Sequence, residues 1–105
     1  MRRPEFYCMG PVVLDRVIEV DRIPGPDDKA FVKAKYETAG GPARNVAFAL
    51  AGWGERVTAA SVIGDDAVGQ RLLDRLYEAG VSTDAIERVP DLATASCTII
   101  VDRAG

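Results

Sequence analysis

The chain has 105 residues, room for one modest domain, and its 48% hydrophobic and 28% charged residues make an ordinary globular balance. A net charge of −3 without a basic cluster argues against nucleic acid or an anionic membrane surface as partner. There is no histidine, which removes the commonest metal ligand and the usual general base and so argues against a zinc site or a Ser–His–Asp triad. Apolar runs interrupted by Gly10, Pro11 and Asp15 are too short for a membrane span or a signal core, which makes the cytoplasm the expected compartment.

In chain order, residues 6–14 read as a buried strand broken by Gly10, and residues 17–20 continue it beyond Asp15. Pro24-Gly25-Pro26-Asp27-Asp28 is a turn by composition. Residues 29–37 alternate, with Ala30, Val32, Ala34 and Tyr36 on one face, which predicts a half-exposed strand. The stretch AGGPARNVAFALAGWG, residues 39–54, reads as a loop tightening into a helix. Gly41 suits the N-cap and Pro42 the first helical position, Val46, Ala49, Leu50 and Trp53 recur at helical spacing, and Gly54 closes the helix. A strand over 56–63 and a Gly64-Asp65-Asp66 turn lead into a second helix over 67–79. Asp66 is its expected N-cap, Val68, Leu72, Leu73 and Leu76 its buried side, and Gly80 its end.

A short strand near Ile86, a polar loop around Pro90 and a last strand over 96–102 follow. Strands alternating with helices at these spacings predict a parallel sheet with crossover helices. Asp102-Arg103-Ala104-Gly105 reads as a hairpin turn with no returning strand, so the chain reads as the front part of a longer protein. Cys8 and Cys97 fall in strand-like runs and are expected as buried free thiols.

No GxxxxGK[ST] loop is present, and the glycines at Gly52 and Gly54 lack the third glycine and follow a helix instead of a strand, which disfavours a dinucleotide site. The candidate site is Gly40-Gly41-Pro42-Ala43-Arg44-Asn45. A helix N-terminus offers free backbone N–H groups, and glycines let a polar ligand approach them. Asn45 carries a donor and an acceptor, which suits hydroxyl groups that are both. Asp15, expected just past the end of the first strand, is placed to accept from hydroxyls. The same residues also read, more plainly, as a turn, a solvated helix residue and a loop carboxylate.

These segments together resemble the N-terminal part of the ribokinase (PfkB-type) carbohydrate kinase family. Met9-Gly10-Pro11-Val12-Val13-Leu14-Asp15 is similar to its first strand with a sugar-binding aspartate. Gly40 to Ala47 is similar to its GG-x-x-x-N-x-A signature, Gly64-Asp65-Asp66-Ala67-Val68-Gly69 to its G-x-D-x-x-G element, and Glu78-Ala79-Gly80-Val81 to the segment that follows. The resemblance implies an α/β fold, a ribokinase-like αβα sandwich with a small β-sheet lid, present as its N-terminal part. Core segments are expected over about 5–15 and 40–92 and lid strands over about 16–39 and 96–105.

It further implies substrate contacts from Asp15, Gly40, Gly41 and Asn45, with ATP and Mg²⁺ used by the intact enzyme and a homodimer formed through the lid. The family's catalytic base and nucleotide pocket lie C-terminal to Gly105, so no catalytic residue, nucleotide or metal site is expected in this chain, and residues 1–105 alone are expected to be inactive. Val13 stands where ribokinase-like members often carry asparagine, and Pro42 replaces a polar residue of several subfamilies. The run around Asp15 is more similar to ketohexokinases and to kinases of sulfonated fructose derivatives, which points to a hexose or ketohexose and makes Lys29 a possible contact for an anionic substituent. Lys29 also reads as a solvated edge-strand lysine. A nucleoside kinase and a non-catalytic sugar- or partner-binding module are the alternatives. The Asp66 element reads as a structural turn.

Overall fold

The computed structural model describes residues 5–105 as two three-stranded sheets and two helices. β1 (Glu5–Met9), β4 (Arg56–Gly64) and β5 (Ser82–Val89) form a parallel sheet in the order β1-β4-β5. β2 (Val13–Val20), β3 (Val32–Gly40) and β6 (Ser96–Val101) form a mixed sheet in the order β3-β2-β6, antiparallel between β2 and β3 and parallel between β2 and β6. The helices are α1 (Pro42–Gly52) and α2 (Ala67–Glu78). The parallel sheet with helical crossovers is as its alternation predicts.

Residues 6–14 are not one strand. β1 ends at Met9, Gly10 turns at φ 154° while its N–H donates to the Ala60 carbonyl at 3.1 Å, and Pro11, which has no N–H, cannot extend a ladder. The chain leaves the first sheet there and enters the second at Val13. Asp15 therefore lies inside β2, not beyond the first strand. The alternating segment starts as a strand only at Val32 and runs to Gly40, so β3 passes into α1 with no loop between.

α1 packs on β1 and β4 through Ala43 and Ala47, with Leu50 and Ala51 partly buried beside them. The face with Val46, Ala49 and Trp53, which apolarity alone selects, is exposed, and Trp53 is the C-cap residue. Close approach decides the matter: a β-carbon at Gly10 would lie 3.1 Å from Ala43 Cβ, so only small residues fit where the helix meets the chain. α2 follows its pattern more closely. Leu72 and Leu76 are buried, Val68 packs against the core, and Leu73 is only half-buried. The core gathers Cys8, Val57 and Ala59 from the first sheet and Val81 just before β5, with Val12 and Ala39 from the junction of the two sheets. Cys8 is a buried free thiol as expected, but Cys97 is exposed because β6 lies at an edge of the second sheet.

Candidate sugar site at the junction of the two sheets

The β2–β3 register pairs Val13 with Gly40 and Asp15 with Thr38, which puts Asp15 on the same sheet face as Gly40, one pair along. The Asp15 carboxylate occupies the space above the Gly40 backbone: a β-carbon there would overlap Oδ2 and lie 3.1 Å from Cγ. Gly41 follows at φ 99°, a conformation that favours glycine, and a β-carbon on it would run into the Pro11 carbonyl, 3.1 Å from the carbonyl carbon. Gly41 is the N-cap of α1, and no side chain caps the first backbone N–H groups of the helix by a hydrogen bond. Asn45 stands one turn inside, its backbone N–H donating to the Gly41 carbonyl at 2.9 Å.

The half-buried Asp15 side chain has no hydrogen-bond or ion-pair partner among the described residues. Asn45 Oδ1 accepts from Arg44 Nη1 at 3.3 Å, which leaves the Asn45 amide hydrogens as donors. Asp15, Gly40 and Gly41 thus stand together at the entry to α1, with Asn45 one turn further along the helix. Thr38 on β3 and Cys97 on β6 pair directly with Asp15 and share its face. Sequence reasoning missed both, since only the strand register reveals them.

Lys29 is not brought to this place. It lies in the loop beyond the far end of the β2–β3 hairpin, where its N–H donates to Asp28 Oδ1 at 2.7 Å and its carbonyl accepts from Arg22 Nη2 at 3.2 Å. Val20, at that end of the pairing, is five residues from Asp15, roughly 16 Å along the strand.

Asp66 caps α2 as its position predicts, its Oδ1 accepting from Gly69 N–H at 2.7 Å. It also receives the Thr94 hydroxyl at 2.6 Å and the Thr94 N–H at 2.9 Å, while Thr94 Oγ1 accepts from Gly64 N–H at 2.9 Å. These donors, the Thr94 hydroxyl first, hold the Asp66 carboxyl below its ordinary value. Thr94 is buried and immediately precedes Ala95, whose carbonyl accepts from Leu14 N–H at 3.0 Å. The Asp66 element is therefore structural, and it fixes the entry of β6 into the sheet that carries Asp15.

Comparisons with known proteins agree with this architecture. The ATP-dependent ribose-1-phosphate kinase of Halopiger xanaduensis is 34% identical over 96 residues, covering 91% of this chain and 32% of that protein. The crystal structure of a ribokinase from Cryptococcus neoformans in complex with ADP superposes with a TM-score of 0.82 at 30% identity, over 96% of this chain and 31% of that one. A fructokinase from Xylella fastidiosa superposes with a TM-score of 0.71 at 31% identity, over 90% and 27%. The chain thus spans about a third of the length of these proteins. A family model described as pfkB family carbohydrate kinase matches residues 4–105, and the chain belongs to that family with a ribokinase-like α/β fold.

Proposed function

We propose that this chain supplies the sugar-binding part of an ATP-dependent carbohydrate kinase. The observation that supports it most is the unpartnered Asp15 carboxylate set over the bare backbone of Gly40 at the entry to α1. In this reading sugar hydroxyls donate to Asp15, the Asn45 amide donates to a hydroxyl oxygen, and Gly41 leaves the helix N-terminus open to both. Asp15 binds and orients, and the base that takes the hydroxyl proton is not among these residues.

ATP and Mg²⁺ belong to the reading of the intact enzyme, where they supply the γ-phosphoryl group and offset its charge. Among the described residues no group of three or more His, Cys, Asp or Glu side chains comes together to hold a metal. No helix among them is long and apolar enough to cross a membrane. A cytoplasmic homodimer, joined through the β3-β2-β6 lid, completes the proposal.

For the substrate we favour a ketohexose. Val13 pairs with Gly40 and so presents an apolar side chain beside Asp15 where a ribose pocket would use a polar one. A pentose is the second reading, favoured by the names of the Halopiger and Cryptococcus relatives. Phosphoryl transfer by the intact enzyme, assayed with fructose, ribose and adenosine, separates these readings. Fructose is expected to give the highest kcat/KM. Preference for ribose would overturn the ketohexose assignment, and no turnover with any of the three would overturn the kinase.

A further inference from the structure

The lid is held by α2 at both of its edges, through two contacts of unlike kind. β3 and β6 are the edge strands, and β2 between them carries Asp15. On the β6 side the N-cap carboxylate of α2, Asp66, takes the hydroxyl and the N–H of Thr94, and the adjacent Ala95 carbonyl takes Leu14 N–H near the start of β2. Thr94 is buried and also accepts from Gly64 N–H, so this contact cannot part without leaving buried polar groups unpaired.

On the β3 side the contact is an ion pair, Arg71 Nη1 of α2 donating to Glu37 Oε1 at 3.2 Å. Among the described residues it is the one ion pair that joins the lid to a helix. Its side chains are 56% and 39% exposed, and a pair so open to water biases an equilibrium only a few-fold. Beside it a hollow of about 60 Å³, bordered by Thr38, Ala39 and Leu72, leaves the seam between β3 and α2 unfilled. α2 itself is fixed to the core through Leu72 and Leu76. Glu37 also accepts from Arg16 Nε at 3.1 Å, and Arg16 belongs to the lid. When Arg71 lets go, Glu37 keeps a partner, which makes the release cheap.

The angle of the lid matters because the candidate site is divided across the seam. Asp15 rides on β2, whereas Gly41 and Asn45 belong to the entry and first turn of α1. Glu37 precedes Thr38, the register partner of Asp15, and lies three residues before Gly40. Its side chain takes the opposite sheet face from Asp15, so it acts on a sugar through the placement of the strand and not by touching it. Small errors in such placement weaken every bond that depends on it.

We propose that Arg71 and Glu37 form a releasable tie between α2 and β3 that sets the lid against α1, and are thereby positioning residues for the sugar site. Asp66 and Thr94 are the permanent mount at the other edge. The proposal rests on the sugar-kinase reading.

Steady-state kinetics of the intact enzyme test it, with ATP and fructose, or ribose if that is the better substrate. Arg71→Gln and Glu37→Gln are each expected to raise the sugar KM about threefold with kcat little changed. The double variant should go no further, because both substitutions remove the same contact. Arg71→Lys, which retains the charge, should bring KM back towards wild type. Arg16→Gln alters a pair that lies wholly within the lid and should leave KM unchanged. Sodium chloride at about 0.5 M should raise the wild-type KM to that of Arg71→Gln and barely move the variant. Additive effects in the double variant, a lowered KM in either single variant, or a lowered unfolding midpoint with KM unchanged would overturn the tie. If wild type turns over sugar and the variants match it, the tie alone falls. If wild type phosphorylates neither fructose, ribose nor adenosine, the kinase reading falls and takes the tie with it.

Discussion

At Gly40 and Gly41 the missing side chains are what open the candidate site. Gly40 yields its space to the Asp15 carboxylate, and Gly41 combines positive φ with contact against the Pro11 carbonyl. Gly41→Ala should therefore destabilise the protein by more than about 1 kcal/mol, read as a lowered unfolding midpoint, and should also close the approach to the helix N-terminus. Asn45 is exposed and can be truncated without a folding penalty of that kind. In the intact enzyme Asn45→Ala should weaken sugar binding by about 1–3 kcal/mol with little change in unfolding midpoint. Asp15, Gly40, Gly41 and Asn45 could be picked out in the sequence because glycines and polar residues stand out beside apolar runs. Thr38 and Cys97 could not, because only the strand register sets them beside Asp15. Lys29 is the converse case: it has suitable chemistry, but the hairpin carries it to the end far from Asp15.

At the scale of elements, the bond set around Asp66 and Thr94 ties the start of α2, the end of β4 and the entry to β6. Thr94→Val keeps the volume but leaves the Gly64 N–H without its acceptor, and should cost about 1–3 kcal/mol in denaturant unfolding. Asp66 carries a pH signature as well. Its folded pKa is lowered by the Thr94 hydroxyl, then by the Thr94 and Gly69 N–H groups. A lowered folded pKa contributes stability above the unfolded value, about 4, which is lost as pH falls through the folded value. Unfolding followed from pH 6 down to acid should show this loss in wild type and a flatter profile in Asp66→Asn. The capping role was legible, since an acidic residue before a helical pattern is a local signal. The Thr94 bonds span 28 positions and were not. Apolar spacing identified α2 well, but it chose the wrong face of α1, where close approach to Gly10 makes alanine the packing residue.

At the scale of the molecule, the described chain is extended, 60 × 33 × 18 Å, with a radius of gyration of 16.7 Å against about 13 Å for a compact domain of this size. Both helices pack on one face of the parallel sheet, and the other face presents Tyr7, Met9 and Val62 to solvent. The lid adds β3 as an edge strand with Val32 and Tyr36 half exposed. Such surface favours association. Residues 1–105 expressed alone should bind an apolar dye, scatter light as more than a monomer and show no sugar-dependent ATP turnover. A monodisperse, dye-negative monomer would contradict the first two expectations, and measurable turnover the third. In the intact protein Val32→Asp should dissociate a lid-mediated dimer, because burying an unpaired carboxylate costs far more than the contact it replaces. The most direct test of the sugar site is calorimetric titration of the intact enzyme, and of its Asp15→Ala variant, with the sugar it phosphorylates best. Charge-assisted hydrogen bonds exceed neutral ones, so Asp15→Ala should lose at least as much affinity as Asn45→Ala while unfolding at nearly the wild-type midpoint. Sugar affinity unchanged in Asp15→Ala would contradict the account and make Asp15 a solvated carboxylate of the lid.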